Sequence, residues 1–173
     1  MASDADVHQA DERLRRLLLS ADALGVSGVG GGKLMMPRQG TSGIGADCAL
    51  CHLSENPDQT LIFGTDSVLF LQNAHEQGAL LGSGVIIPVR HAETVFDLTP
   101  AELCATFALL HQVKSWMDDR YHPDGYNVGW NCGAVGGQKD MHAHMHVMPR
   151  FRQERYAGCG IRHWLKRPEN RWW

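Results

Sequence analysis

The chain has 173 residues, 43% of them hydrophobic, and a formal net charge of -3 with histidine neutral, which suits one globular domain with some extension. The slight acidity argues against a general nucleic-acid surface, which needs clustered Lys and Arg, but leaves room for a small anionic ligand at a locally positive site. No apolar run approaches the roughly 20 residues of a membrane span, no secretory signal precedes the acids Asp4, Asp6, Asp11 and Glu12, and the odd, unevenly spaced set of five cysteines points to a reducing cytoplasm.

Residues 9–24 read as a short helix, with Leu14, Leu17, Leu18 and Leu24 as its apolar stripe and acids ahead of bases as the helix dipole favours. A glycine-rich stretch from Gly25 to Gly45 follows and reads as a linker. Gly32-Lys33 is not a phosphate loop, because Leu34 stands where Ser or Thr is required and Ser27 where the first glycine belongs. Leu61 to Phe63 and Ser67 to Gln72 read as a hairpin closed by Gly64-Thr65-Asp66. A third strand spans Gly84 to Val89. Thr99-Pro100-Ala101-Glu102 is a helix start, with a capping threonine, a proline in the first turn and a glutamate able to close a capping box. Leu103, Phe107, Leu110, Val113 and Met117 form the expected buried stripe of a helix running to about Asp118, with Cys104 as a small core residue. Tyr126 to Asn131 and Met141 to Met148 complete the strands. Few connections are long enough for the crossover helices of a parallel sheet. The expected fold is α+β: an antiparallel five-stranded sheet with a long helix on one face.

The last strand alternates histidine with small or apolar residues: His142, His144 and His146 against Ala143, Met145 and Val147. On a strand the three imidazoles emerge on one face and the intervening residues enter the core. Positions i and i+2 lie about 7 Å apart and i to i+4 about 13 Å, so two neighbours can share one metal but three in a row cannot easily do so. A row lining a phosphate chain fits better, with His144 attacking phosphorus as a neutral imidazole while the outer pair sets its tautomer and holds phosphate oxygens. The preceding loop has Gly129, Gly133, Gly136 and Gly137 within nine residues, which lets backbone N–H groups turn toward a ligand, and Asn131 and Gln138 add uncharged donors.

Asn131-Cys-Gly-Ala-Val-Gly-Gly137-Gln138 followed by His142-Ala-His144-Met-His146 resembles the signature of the histidine triad (HIT) superfamily. The stretch Gly84 to Glu102, with His91 and Asp97, is also similar to that family. The resemblance covers residues 46–150 as a HIT domain, leaving 1–45 as an N-terminal helix and glycine-rich extension and 151–173 as a C-terminal tail. It implies a nucleotidyl hydrolase or transferase that cleaves a dinucleoside polyphosphate or nucleoside phosphoramidate at the α-phosphorus through a covalent nucleotidyl-histidine. His144 would be the nucleophile and His146 a phosphate contact. Asn131 and Gln138, with Gly137 beside them, would bind oxygens or the leaving-group side, and Gln72 or Asn73 would hold the ribose. The sequence departs from the family pattern in two places. Ser83 follows Gly82 where a further histidine is common, and the loop after Asn73 is about two residues longer than usual, a length read against the resemblance.

Cys48-Ala-Leu-Cys51 is half of a zinc site, because structural zinc takes four ligands. The resemblance supplies the rest: Cys48, Cys51, His91 and His142 would hold a structural Zn2+, with His52 as a spare ligand. It also implies a homodimer. The tail from Tyr156 to Trp173 is basic and aromatic, and its tryptophans are expected to pack against the domain or a second subunit. Two alternatives stand beside the leading reading: a nucleotide-binding module without turnover, and a metal-dependent hydrolase using the histidines as ligands.

Overall fold

The computed structural model describes residues 48–173, so the expected helix at 9–24, the glycine-rich stretch and the boundary at 45 lie outside the described residues. Among these residues, five strands form one sheet: β1 (Gln59–Gly64), β2 (Val68–Asn73), β3 (Gly84–Pro88), β4 (Gly125–Trp130) and β5 (Met145–Arg150). The order is β1-β2-β3-β5-β4, and every neighbouring pair is antiparallel. The helix α1 (Pro100–Tyr121) connects β3 to β4, and β5 returns between them. The histidine-bearing strand is therefore central, paired on both sides: Val85 faces His146 from β3 and Gly129 faces it from β4.

The hairpin turn falls at Thr65 to Ser67, one residue later than expected. The Thr65 hydroxyl accepts from the N–H groups of Ser67 and Val68, a local bond that competes with further pairing. β2 is buried along Val68 to Gln72, because both sheet faces are covered. On one face Val68, Phe70, Ile86, Met145 and Val147 pack against Leu109, Val113 and Met117 of α1. On the other, Leu69, Leu71 and Ile87 pack with Leu50, from the segment that carries Cys48 and Cys51.

The helix begins as its sequence requires. Thr99 Oγ1 accepts from the Glu102 N–H, and Glu102 accepts from the Thr99 N–H and hydroxyl. It ends three residues beyond Asp118, where His122 adopts a left-handed conformation (φ 50°) and closes the last turn. Its buried stripe differs from expectation. Thr106 and Leu109 join Val113 and Met117, Leu103 and Leu110 are half-buried, and Phe107 and Cys104 are exposed. The physical reason is phase: from Met117 and Val113, steps of four and three residues lead back through Leu109 and Thr106, and the Thr106 hydroxyl loses nothing by burial because it donates to the Glu102 carbonyl.

β5 starts at Met145 rather than Met141, so His142 and His144 precede the strand and only His146 lies within it. The simple alternation of exposed histidine and buried apolar residue does not hold. His142, Ala143, His144 and Met145 are all buried, because the segment runs beneath Ala92 and Leu98 before it joins the sheet, with the Ala143 N–H bonded to the Ala92 carbonyl. Within the tail, Trp164, Trp172 and Trp173 are exposed, contrary to the packing expected of them inside one chain, and the Arg167 guanidinium lies 3.9 Å from the Trp164 ring centre.

Candidate active site and metal centre

His142 is completely buried. Its Nε2 lies 2.9 Å from the Pro88 carbonyl. A carbonyl only accepts, so that nitrogen carries the proton and Nδ1 presents a bare lone pair. Burial, with His91 and His144 adding to it, holds the pKa of His142 down at about 4. The lone pair points at two sulfurs, Cys48 Sγ and Cys51 Sγ, each 3.5 Å away. His91 Nδ1 lies 3.3 Å from Cys51 Sγ. All four ligand atoms fall within 4.8 Å of one another.

A tetrahedral zinc with Zn–S near 2.3 Å and Zn–N near 2.0–2.1 Å separates sulfur from nitrogen by about 3.5 Å. The observed spacings match that edge, and the Pro88 carbonyl is the kind of outer partner that orients a ligating imidazole. Burial and the neighbouring Cys48 push the Cys51 thiol up to about 12, the direction expected of two sulfurs brought together without a cation between them. The donor set therefore fits zinc, and four protein ligands leave no open position for a metal-bound water. His52 stands apart from this cluster.

His144 has a separate environment. Its Nδ1 lies 2.7 Å from the His142 carbonyl, so Nδ1 carries the proton and the Nε2 lone pair is free. The tautomer is set by backbone, not by the flanking imidazoles as the sequence suggested. His144 and His146 line a cavity of about 250 Å³ together with Asn131, Asn73, Gln59 and Lys139. Leu50, Leu71 and Val85 give it an apolar wall. The His144 and His146 rings meet edge to face at 4.9 Å, and burial, then His144, lowers the pKa of His146. Both effects favour the neutral form of the His146 ring. Asn131 Nδ2 is 3.5 Å from His146 Nε2.

Three residues singled out from sequence do not reach this cavity: His142, whose buried ring faces the two sulfurs and so holds no phosphate oxygen, Gln138 and Gln72. Gln138 is buried inside the loop. Its Oε1 accepts from the Gly133 N–H, and its Nε2 donates to the carbonyls of Glu93 and Asp140. Gln72 is also buried, and its Nε2 donates to the Gly82 and Ser83 carbonyls. Each amide braces backbone that would otherwise be unsatisfied. The loop N–H groups of Gly136, Gly137 and Gln138 likewise bond to carbonyls of the loop itself, not outward to a ligand. Gly133 (φ 72°) and Gly137 (φ 91°) are needed for that closure, since side-chain-bearing residues rarely adopt such angles. Asn73 does line the cavity. Gln59 and Lys139 were missed; neither belongs to a motif, and only folding brings β1 and the loop to the same cavity.

Known proteins share this architecture. A HIT family protein from Bacillus anthracis superposes with a TM-score of 0.57 at 23% identity, over 62% of this chain and 76% of that one. Bis(5'-nucleosyl)-tetraphosphatase [asymmetrical] of Schizosaccharomyces pombe is 32% identical over 71 residues, 41% of this chain and 39% of its own. AP-4-A phosphorylase of Mycobacterium tuberculosis is 32% identical over 71 residues, 40% of this chain and 36% of its own. The chain thus matches well under half the length of these two relatives. The family model of the HIT domain matches residues 54–153, more than half of the sequence and every strand of the sheet, and the chain belongs to that family.

Proposed function

We propose that this protein is a nucleotidyl hydrolase or transferase acting at the α-phosphorus of a nucleotide, with His144 as nucleophile. One observation carries the reading: the His142 carbonyl holds the proton on His144 Nδ1, which leaves the Nε2 lone pair available in a cavity shared with His146 and Asn131. The Nε2 lone pair forms an N–P bond while the bond from phosphorus to the leaving group breaks, its electron pair departing on the leaving atom, which is then protonated. In the second step a water or alcohol oxygen attacks phosphorus, the N–P pair returns to Nε2, and the attacking oxygen loses its proton. His146 and Asn131 contact the phosphoryl oxygens, where charge accumulates. Asn73, which lines the same cavity, is the residue proposed to bind the ribose. Gln138 shapes the loop from within, and Gly137, which lines the cavity, lets the loop backbone approach the substrate. The names of the two relatives, a tetraphosphatase and a phosphorylase of dinucleoside tetraphosphates, support chemistry at a nucleotide's phosphoanhydride.

The four-ligand cluster holds a structural Zn2+ in this reading. When bound, the ion cross-links the Cys48–Cys51 turn to His91 and His142. His142 then has two duties, since its ring ligates and its carbonyl orients the nucleophile. The metal-dependent hydrolase is the weaker alternative, because the cluster offers no open coordination position. A homodimer is proposed, consistent with the exposed tryptophans of the tail and with β4 at the edge of the sheet. Among the described residues no helix is long and apolar enough to cross a membrane.

The test is mass spectrometry after brief exposure to adenosine and guanosine phosphoramidates and dinucleoside polyphosphates. A nucleotidyl adduct on His144, absent from His144→Asn, is expected. Turnover undiminished in His144→Asn sinks the mechanism.

A further inference from the structure

Leu50 lies between the two cysteines of the metal cluster and is also part of the wall of the cavity that holds His144. It is buried and packs with Leu69, Leu71 and Ile87 of the sheet. The turn that carries it precedes residues 54–153 that match the family. The Cys51 N–H donates to the Cys48 carbonyl at 2.9 Å and closes that turn. From Cys48 to Asn56 every backbone hydrogen bond among the described residues is local, the last reaching only Gln59. The polar ties of this segment to the rest of the domain, among the described residues, run from its two sulfurs to His91 and His142, at 3.3 to 3.5 Å. The place of Leu50 in the cavity wall therefore depends on what those four side chains hold.

We propose that Leu50 couples the metal cluster to the nucleotide cavity, so that zinc and nucleotide each tighten the binding of the other. The inference rests on the cavity being the nucleotide site and the cluster being the zinc site. Four ligand bonds fix the turn from both sides of Leu50 and press its side chain beside Leu71 and Val85, against the apolar part of the nucleoside. Without them the turn keeps one internal backbone bond and the packing of Leu50. Whichever ligand binds first orders the turn, and the second no longer bears that loss of entropy. Linkage makes the effect equal in both directions. Leu50 touches no reacting atom and acts as a positioning residue. Its influence falls on nucleotide affinity, whereas the His142 carbonyl acts on the orientation of His144 and so on the chemical step.

The test measures binding of adenosine and guanosine 5'-monophosphate to the full chain by calorimetry, zinc-loaded and chelator-stripped, and zinc affinity with and without saturating nucleotide. Stripping is expected to weaken the better nucleotide about tenfold, and that nucleotide to tighten zinc by the same factor. Leu50→Ala is expected to keep stoichiometric zinc and to cut the linkage to about twofold or less, and Leu50→Met to restore most of it. If the stripped protein unfolds, the chain loaded with Co2+ decides. Saturating nucleotide should then shift the sulfur-to-cobalt absorption in the parent and leave it unmoved in Leu50→Ala. Equal nucleotide affinity with and without zinc, a cobalt spectrum indifferent to bound nucleotide, full linkage in Leu50→Ala, or no nucleotide binding to the zinc-loaded chain overturns the coupling. A nucleotidyl adduct on His144 alongside any of those results leaves the proposed chemistry standing and removes only this inference. Absence of both adduct and nucleotide binding removes both.

Discussion

Arg90 links the end of β3 to the start of α1 and borders His91, so replacing it tests how the metal ligand is held. Its Nε and Nη2 each lie 2.8 Å from one oxygen of Glu102, and its other donors reach the carbonyls of His91 and Asp97. The pairing with Arg90, helped by the Thr99 N–H and hydroxyl, holds the Glu102 carboxyl at about 2 against an ordinary 4.5. That gap corresponds to about 3 kcal/mol at roughly 1.4 kcal/mol per tenfold. Arg90 is 45% exposed, solvent screens the pair, and part of the effect belongs to Thr99, so the share lost in Arg90→Met is about 1–2 kcal/mol at pH 7. The sign follows from the depressed carboxyl. Its stabilisation is complete above about pH 5 and is lost as pH falls from about 4.5 towards 2. Urea unfolding of the two proteins, compared at each pH from 7 to 2.5, should show their difference shrinking through that window to the residue owed to the two carbonyl contacts, below about 1 kcal/mol. Raising the salt to 1 M at pH 7 should also shrink it. A difference that is flat with pH, or that grows on acidification, refutes the reasoning and leaves Arg90 acting through packing alone.

The protein should bind one zinc per chain, and Cys51→Ser or His142→Ala should abolish stoichiometric binding while chelation of the parent lowers its melting temperature; full metal-free stability would contradict a structural ion. Leu109→Ala, in the wholly buried stripe of α1, should cost about 2–5 kcal/mol in denaturant unfolding, whereas Phe107→Ala on the exposed face should cost about 1 kcal/mol or less; the reverse order would mean that the helix is rotated. Light scattering should give the mass of a dimer, and a monomer at all concentrations tested would leave the tail tryptophans without the partner proposed for them.

Much of the architecture was legible before folding, for local reasons. The capping box at Thr99 and Glu102 is a contact between near neighbours, and so is the hairpin turn at Thr65. The loop glycines and the histidine row mark the site because few other residues tolerate those angles or supply that chemistry. Alternation misled where segments left the regular period. It placed His142 and His144 on a strand that starts only at Met145, and it put Phe107 in a stripe that Thr106 and Leu109 occupy.

Within the described residues, the sequence by itself determined the order and kind of the five strands and the long helix, the antiparallel class, the identity of the histidines and the half-site of two cysteines, since each depends on spacing within a few residues. Tertiary structure decided the division of labour among them. Only the sheet order brings His91 and His142 to Cys48 and Cys51, residues 40 to 94 positions apart along the chain. Only the path beneath Ala92 turns the His142 carbonyl onto His144. Only packing consumes the amides of Gln72 and Gln138 and leaves the Ser83 hydroxyl without a partner among the described residues. Such roles depend on which donors and acceptors remain after the chain has closed, and that remainder is not a property of any local pattern.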